Sequence, residues 1–179
     1  MSDLSVTDES LLLATGRGDL KAFEEIVRRH QSWAWQIAYQ FFGREEQAAD
    51  VVQEAFIRLL RASGRYQPTA KFRTYFYRII SRLCLDQFKK KKPVKLEAIA
   101  DLPDQNPGAA EELLRKETAA SVRLALDTLA PNQRLAIVLR YYEDLNYQEI
   151  AAALETTTKA VERLLARGRK HLRTLLKNR

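Results

Sequence analysis

Four cations recur along one side of a single predicted helix near the end of this 179-residue chain. Lys159, Arg163, Arg167 and Lys170 stand four, four and three residues apart, so a helical period stacks them on one face. Such a row suits phosphate oxygens, and arginine also suits the paired acceptors on a guanine edge. The opposite face carries Val161, Leu164, Leu165, Gly168, Leu172 and Leu175 at i, i+3, i+4, i+7 spacing, which predicts an inward stripe. Ahead of it, Tyr147 to Leu154 repeats the helical period on a shorter scale, with Ile150, Ala151 and Leu154 on one face. Glu155 and Thr156 make the turn, and Thr157 or Thr158 offers a hydroxyl to cap the second helix. The small Ala151 lets the two helices cross closely, and Val161 fills the angle between them. That is the helix-turn-helix arrangement, in which the second helix enters the major groove. A basic amphipathic helix alone is more often a solvated face. The short helix before it, the threonine turn and the arginine density favour DNA.

Other chemistries find little support. Cys84 is the only cysteine, which excludes an internal disulfide and a cysteine-built zinc site. His30 and His171 stand apart from each other, so no metal site is expected. No nucleophile–base pair or glycine loop for phosphate is visible, and neither catalytic residues nor a cofactor is predicted. The formal net charge of +7 and pI near 9.6 favour polyanionic partners, a property shared by ribosomal, DNA-binding and membrane-surface proteins. The polar start MSDLSVTDES has no apolar signal core, and no apolar run approaches the roughly 20 residues of a membrane span. A cytoplasmic protein without membrane insertion is expected.

The elements that must hold the basic helix in place are themselves helical. Thr7 to Ser10 reads as a helix start, Leu11 to Leu13 as its apolar patch, and Gly16 to Asp19 as its break. Phe23, Ile26, Val27, His30, Ala34, Ile37, Ala38 and Phe41 then recur at helical period, and Gly43 ends the segment. Trp33 and Trp35 cannot share its core face, so one is expected in the core and the other partly exposed. Over Glu45 to Ala62, Val52, Ala55, Phe56 and Leu59 make an inward stripe. Asp50, Gln53, Glu54 and Ile57 lie opposite. That outer face is either a salt-bridged surface with one stray apolar residue or a docking surface for a basic partner helix. The loop Gly64 to Lys71 mixes aromatic and basic residues, suiting unpaired bases and phosphates. From Phe72 the period returns, with Phe72, Phe76, Ile79, Ile80 and Leu83 inward and Tyr75, Arg78, Arg82 and Lys89 forming an aromatic-headed basic ladder. Lys89 to Lys92 closes it, and together they favour phosphate contact over a solvated tail.

Residues 93–114 differ in kind. Glu97, Asp101, Asp104, Glu111 and Glu112 stand against Lys95 alone, five acids less one base, for a net −4 in a basic chain. Proline and glycine punctuate the stretch, which reads as an acidic linker. Beyond it Leu114, Val122, Ala125, Leu126 and Leu129 can pack against the helix-turn-helix, and Pro131 suits the first turn of a further helix. The expected fold is all-α, two small helical domains joined by the linker: 1–92, 93–114 and 115–179, the last a helix-turn-helix.

Taken together, the chain resembles a bacterial sigma factor of the extracytoplasmic-function (ECF) group, over nearly its whole length. GDLKAF (Gly18 to Phe23) is similar to that group's first helix. ADVVQEAFIRL (Ala49 to Leu59) is similar to its D-x-x-Q-E-x-F helix, and FRTYFYRIISRLCLDQFKK (Phe72 to Lys90) to the helix that melts and reads the −10 promoter element. LAPNQRLAIVLRYYEDLNYQEIAAALETTT and the following RGRKHL resemble the domain that reads the −35 element.

The resemblance implies that Asp50, Gln53, Glu54 and Ile57 grip the clamp coiled coil of core RNA polymerase. It implies that Tyr66, Lys71, Tyr75, Arg78, Arg82 and Lys89 serve −10 recognition and melting. Thr158, Lys159, Glu162, Arg163 and Arg167 would read −35 bases, while Arg169, Lys170 and Arg173 hold phosphates. The partners implied are core polymerase, through clamp and flap, and promoter DNA, with room for a cognate anti-sigma factor. Three positions depart from the family pattern: Tyr75 stands for tryptophan, Arg82 for asparagine, and Glu155 for glycine in the turn. A non-glycine there costs about 1 kcal/mol if the left-handed conformation is kept. Competing classes are an autonomous helix-turn-helix regulator acting without polymerase, which leaves the Asp50–Ile57 face unexplained, and a small enzyme with an adventitious basic end.

Overall fold

A computed structural model describes residues 6–90 and 120–177, and every regular element within them is an α-helix. Local chemistry sets most of the boundaries. Helix α1 (Asp8–Gly16) starts where the Thr7 hydroxyl accepts the Ser10 amide. Helix α2 (Leu20–Phe42) starts on the Asp19 carboxylate, which accepts the Ala22 amide at 3.1 Å. It stops at Gly43, whose φ of 68° is a left-handed turn that glycine takes without penalty. Helix α3 (Glu45–Ser63) carries Glu45 and Glu46 in its first turn. Helix α4 (Phe72–Lys90) is capped from outside, its Phe72 amide donating to Glu9 of α1 at 2.7 Å.

These four helices close on an aromatic centre. Phe56 of α3 lies 5.0 Å from Phe76 of α4, and Phe76 lies 5.6 Å from Phe72. Ile26, Ile37 and Phe41 of α2 and Val51, Ala55 and Leu59 of α3 are wholly buried around them. The α3 stripe runs through Val51 where Val52 was expected; Val52 is half-buried. Periodicity fixed the side of the helix but not which of two adjacent valines sits nearest its centre. Neither tryptophan is core: Trp33 and Trp35 are both half-buried, the second stacked on Tyr39 at 4.6 Å.

The second half comprises α5 (residues 120–127), α6 (Pro131–Tyr141), α7 (Tyr147–Ala153) and α8 (Thr158–Lys177). Pro131 opens α6 as expected of a residue with no amide to satisfy. Six consecutive α6 residues, Arg134 to Leu139, are buried. A helix buried on every side is an interior element. Helix α6 lies against α7 and α8 on one side and against α2 and α4 on the other. The two halves therefore share one continuous core. The acidic segment 93–114 and the predicted boundaries at 92 and 115 lie outside the described residues.

Candidate nucleic-acid interface

The helix-turn-helix is built from its caps. Asn146 accepts the amides of Gln148 and Glu149, and Glu149 returns a bond to the Asn146 amide, so α7 begins with a complete capping box. Its end comes at Ala153, one residue short of the expected Leu154. Helix α8 starts on the Thr157 hydroxyl, which accepts the Ala160 amide at 3.2 Å. Val161, Leu165 and Gly168 are buried against α6 and α7. A Cβ on Gly168 would stand 3.2 Å from the Ile137 side chain, so glycine here permits the close crossing of α8 over α6. Leu164 and Leu172 are half-buried, while Leu175, expected inside, is exposed where α8 runs beyond its neighbours.

Thr158, Lys159, Glu162, Arg163, Arg167, Lys170 and Arg173 are all exposed along α8. Arg169 is exposed too, and the neighbouring Tyr141 hydroxyl, then that of Tyr147, raise its pKa further. His171 meets the Thr128 hydroxyl at 2.9 Å.

The basic ladder on α4 is divided. Arg78 lies 5.8 Å over the Tyr75 ring, and Arg82 follows one turn later, so three predicted residues form one surface. Lys89 lies beyond them, lining a groove between α3 and α4 with Asp50 and Glu54. Lys71 is exposed at the head of the helix. Tyr66, expected to offer its ring to an unpaired base, is buried, 5.2 Å from Tyr75. Its loop folds back on α4, and the ring supports Tyr75 from behind.

On α3, Asp50, Gln53 and Ile57 are exposed and Glu54 is half-buried. Glu54 accepts from Arg58 at 2.8 Å, and that bond lowers its pKa. Gln53 borders a second groove, between α2 and α3, where Trp35 and Val52 lie. The four residues thus form a ridge between two grooves. Among the described residues no three His, Cys, Asp or Glu side chains converge to hold a metal ion. None of the helices among them is long and apolar enough to cross a membrane.

The surfaces of the two halves meet. Glu155 keeps the left-handed turn, with φ of 51°, and accepts from Arg82 while standing 3.9 Å from Arg78. Glu143, nearly buried, accepts from the Trp33 indole at 2.6 Å and from the Tyr77 hydroxyl at 2.8 Å, with Arg73 at 3.8 Å. Burial and then the Glu143 charge raise the Tyr77 pKa far above its usual value, so Tyr77 stays a donor. At the end of α2, Arg123 donates to the carbonyls of Gln40 and Phe41, and Arg134 donates to Phe41 at 3.0 Å. Two cations thus answer the negative end of the α2 dipole. Burial pushes Arg134 down to about 10 against the opposing pull of Asp127, 2.9 Å away. None of these pairings was visible in the sequence, because each joins residues many turns apart.

Residues 26–94 match the family described as Sigma-70 region 2, and residues 119–172 that described as Sigma-70, region 4. The ECF RNA polymerase sigma factor SigE of Mycolicibacterium smegmatis is 32% identical over 95% of this chain and 68% of its own length. SigW of Bacillus subtilis, also an ECF RNA polymerase sigma factor, is 30% identical over 90% of this chain and 92% of its own. This chain belongs to the ECF family of RNA polymerase sigma factors.

Solved structures agree with that membership. CnrH, determined in complex with the cytosolic domain of CnrY, is 28% identical and matches with a TM-score of 0.69 over 96% of this sigma factor and 97% of its own chain. The sigma factor RpoE of Bartonella quintana, solved with the anti-sigma factor NepR, shares the fold at 20% identity, with a TM-score of 0.65 over 88% of this chain and 98% of its own. The region 2 match spans α4 and most of α2, with all of α3, and the region 4 match spans the helix-turn-helix.

Proposed function

We propose that this sigma factor directs core RNA polymerase to specific promoters and helps open them. In this reading Asp50, Gln53, Glu54 and Ile57 dock the polymerase clamp. Tyr75, Arg78 and Arg82, with Lys71 at the head of α4, contact the −10 element. On α8, Thr158, Lys159, Glu162, Arg163 and Arg167 read −35 bases while Lys170 and Arg173 hold phosphates. Arg169 adds its charge beside them. The chain performs no bond chemistry of its own, which is left to the polymerase, and it acts in the cytoplasm. Its regions are an N-terminal domain to residue 92, the acidic linker 93–114 and a C-terminal domain from residue 115.

One observation carries the reading: a chain with an exposed basic recognition helix also bears, on a different helix, an acidic and apolar ridge that DNA would repel. A regulator acting alone has no use for that ridge, whereas a factor that must hold a protein and a promoter together needs both. An anti-sigma factor is the second protein partner we infer, on the strength of the NepR-bound relative. Run-off transcription with core polymerase on a promoter library tests the proposal. Promoter-specific transcripts only when factor and polymerase are combined are expected. Sequence-specific binding by the factor alone, with no transcripts on adding polymerase, would overturn it.

A further inference from the structure

Helix α1 touches the loop 64–71 at both of its ends. At the far end, the Phe72 amide that opens α4 donates to the Glu9 carboxylate at 2.7 Å, across 63 residues of sequence. Lys71 stands where a capping side chain would be, but an ammonium accepts no hydrogen bond, so the acceptor has to come from elsewhere. At the near end, a Cβ on Gly16 would collide with the carbonyl of Ser63, the last residue of α3. That carbonyl accepts the Tyr66 amide at 3.1 Å, which turns the loop back on itself. Between these contacts α1 is held fast. Leu11, Leu12 and Thr15 are buried, and Asp8 lies 3.0 Å from Arg29 and 2.9 Å from His30, both on α2. Seven residues of one rigid helix, about 10 Å of rise, separate Glu9 from Gly16.

We propose that α1 is a strut for promoter opening: by fixing where the loop leaves α3 and where it enters α4, Gly16 and Glu9 set the place of the residues that meet the separated −10 strand. This rests on the reading of the loop and α4 as the −10 surface. Gln67 to Lys71 are exposed between the two anchors, and Tyr66 alone turns inward. Its ring lies 5.2 Å from that of Tyr75, so the strut reaches the Tyr75 surface through it. Burial, and then the Glu9 charge, raise the Tyr66 pKa, which puts its hydroxyl within the field of the capping carboxylate. The same charge answers the positive end of the α4 dipole. An uncapped helix frays in its first turn, and fraying here carries Lys71 and Tyr75 off the path of the strand. Glu9 is thus a positioning residue, acting through the Phe72 amide.

The test uses the full chain with core polymerase on a promoter that it transcribes, with 2-aminopurine in the −10 element reporting bases that leave the stack. Glu9→Ala should slow opening about three- to tenfold, the range a lost cap supplies. Its affinity for polymerase and its binding to the closed duplex should stay at the parent's values. Glu9→Gln keeps a neutral acceptor for the Phe72 amide and should open within about twofold of the parent. Gly16→Ala disturbs the other anchor and should slow opening in the same way. Parental opening by Glu9→Ala overturns the strut. Loss of polymerase binding together with opening in Glu9→Ala overturns it as well, since α1 would then only hold the fold. Tyr75→Ala separates the strut from the reading beneath it. Normal opening by Tyr75→Ala topples the −10 reading of α4, whereas slow opening by Tyr75→Ala beside normal opening by Glu9→Ala overturns the strut alone.

Discussion

Replacing Glu143 by glutamine or by leucine measures what holds the two halves together. One carboxylate oxygen of Glu143 accepts both the Trp33 indole N–H at 2.6 Å and the Tyr77 O–H at 2.8 Å, in a side chain only 7% exposed. A glutamine oxygen can take the same two donors, but as neutral bonds. Charged acceptors contribute about 1.5–3 kcal/mol per bond and neutral ones about 0.5–1.5. Two such exchanges remove about 2–3 kcal/mol. Relief of the carboxylate's desolvation returns part of that, leaving a loss of about 1–2 kcal/mol. Arg73 adds little, since it stands 3.8 Å away and is 56% exposed. Leucine strands the Tyr77 O–H, at about 1–3 kcal/mol, and leaves the Trp33 indole only its longer bond to the Tyr77 oxygen at 3.3 Å, unless the halves separate and water reaches them. The cost to the molecule is therefore capped by the free energy of opening. Calorimetry should show a single transition in the parent, lowered by about 2–8 °C in Glu143→Gln and split in two in Glu143→Leu. Trp33 emission should shift to the red in the leucine variant as the indole meets water. A leucine variant that melts like the parent, with unshifted emission, would refute the assignment of Glu143 as the polar centre of the contact.

Three further outcomes are expected. Glu54→Lys should keep the parent circular dichroism but lose core polymerase in a pull-down, because its half-buried carboxylate sits on the outer ridge of α3. Arg163→Ala should weaken binding to its preferred promoter by about 1–3 kcal/mol, whereas Lys170→Ala should weaken all sequences alike and lower the salt slope by about one unit; gel shifts across a promoter set separate the two. His30 lies 2.9 Å from Asp8 with its pKa lowered, chiefly by burial, against the upward pull of Asp8. The fold binds a proton there less readily than the unfolded chain, so the stability tied to His30 is full above its unfolded pKa near 6.5 and declines as pH falls below it. Melting temperatures between pH 8 and 5 should fall for the parent and fall less for His30→Gln. Glu25, held down to about 2 by hydrogen bonds from Arg28 and then Arg29, titrates below that range.

Helices and their buried sides were legible wherever a period ran for several turns. Val161, Leu165 and Gly168 on α8 are the clearest case, because a stripe opposite a row of cations leaves one orientation. The turn at Glu155 was legible from its place in the motif, but whether a non-glycine keeps the left-handed backbone there was not, and the structure keeps it. What periodicity cannot report is the identity of the surface that covers a stripe. The run LAIVL in α6 reads the same whether its outer side meets solvent or another domain. Only the contacts with α2 and α4 explain why all six residues from Arg134 to Leu139 are buried. Tyr66 misled for a related reason. A loop rich in polar residues reads as exposed, yet one aromatic ring within it has more apolar area to bury than its neighbours have polarity to keep it out.

The end of α2 carries a further meaning in time. Its last carbonyls, at Gln40 and Phe41, receive Arg123 and Arg134, which the ribosome adds 82 to 93 residues later. At bacterial or eukaryotic rates of roughly 5–20 residues per second, that interval lasts on the order of 5–20 s. For those seconds the carbonyls of Gln40 and Phe41 lack the two guanidinium donors that hold them in the finished fold, so the end of α2 is completed only by the half of the chain made after it.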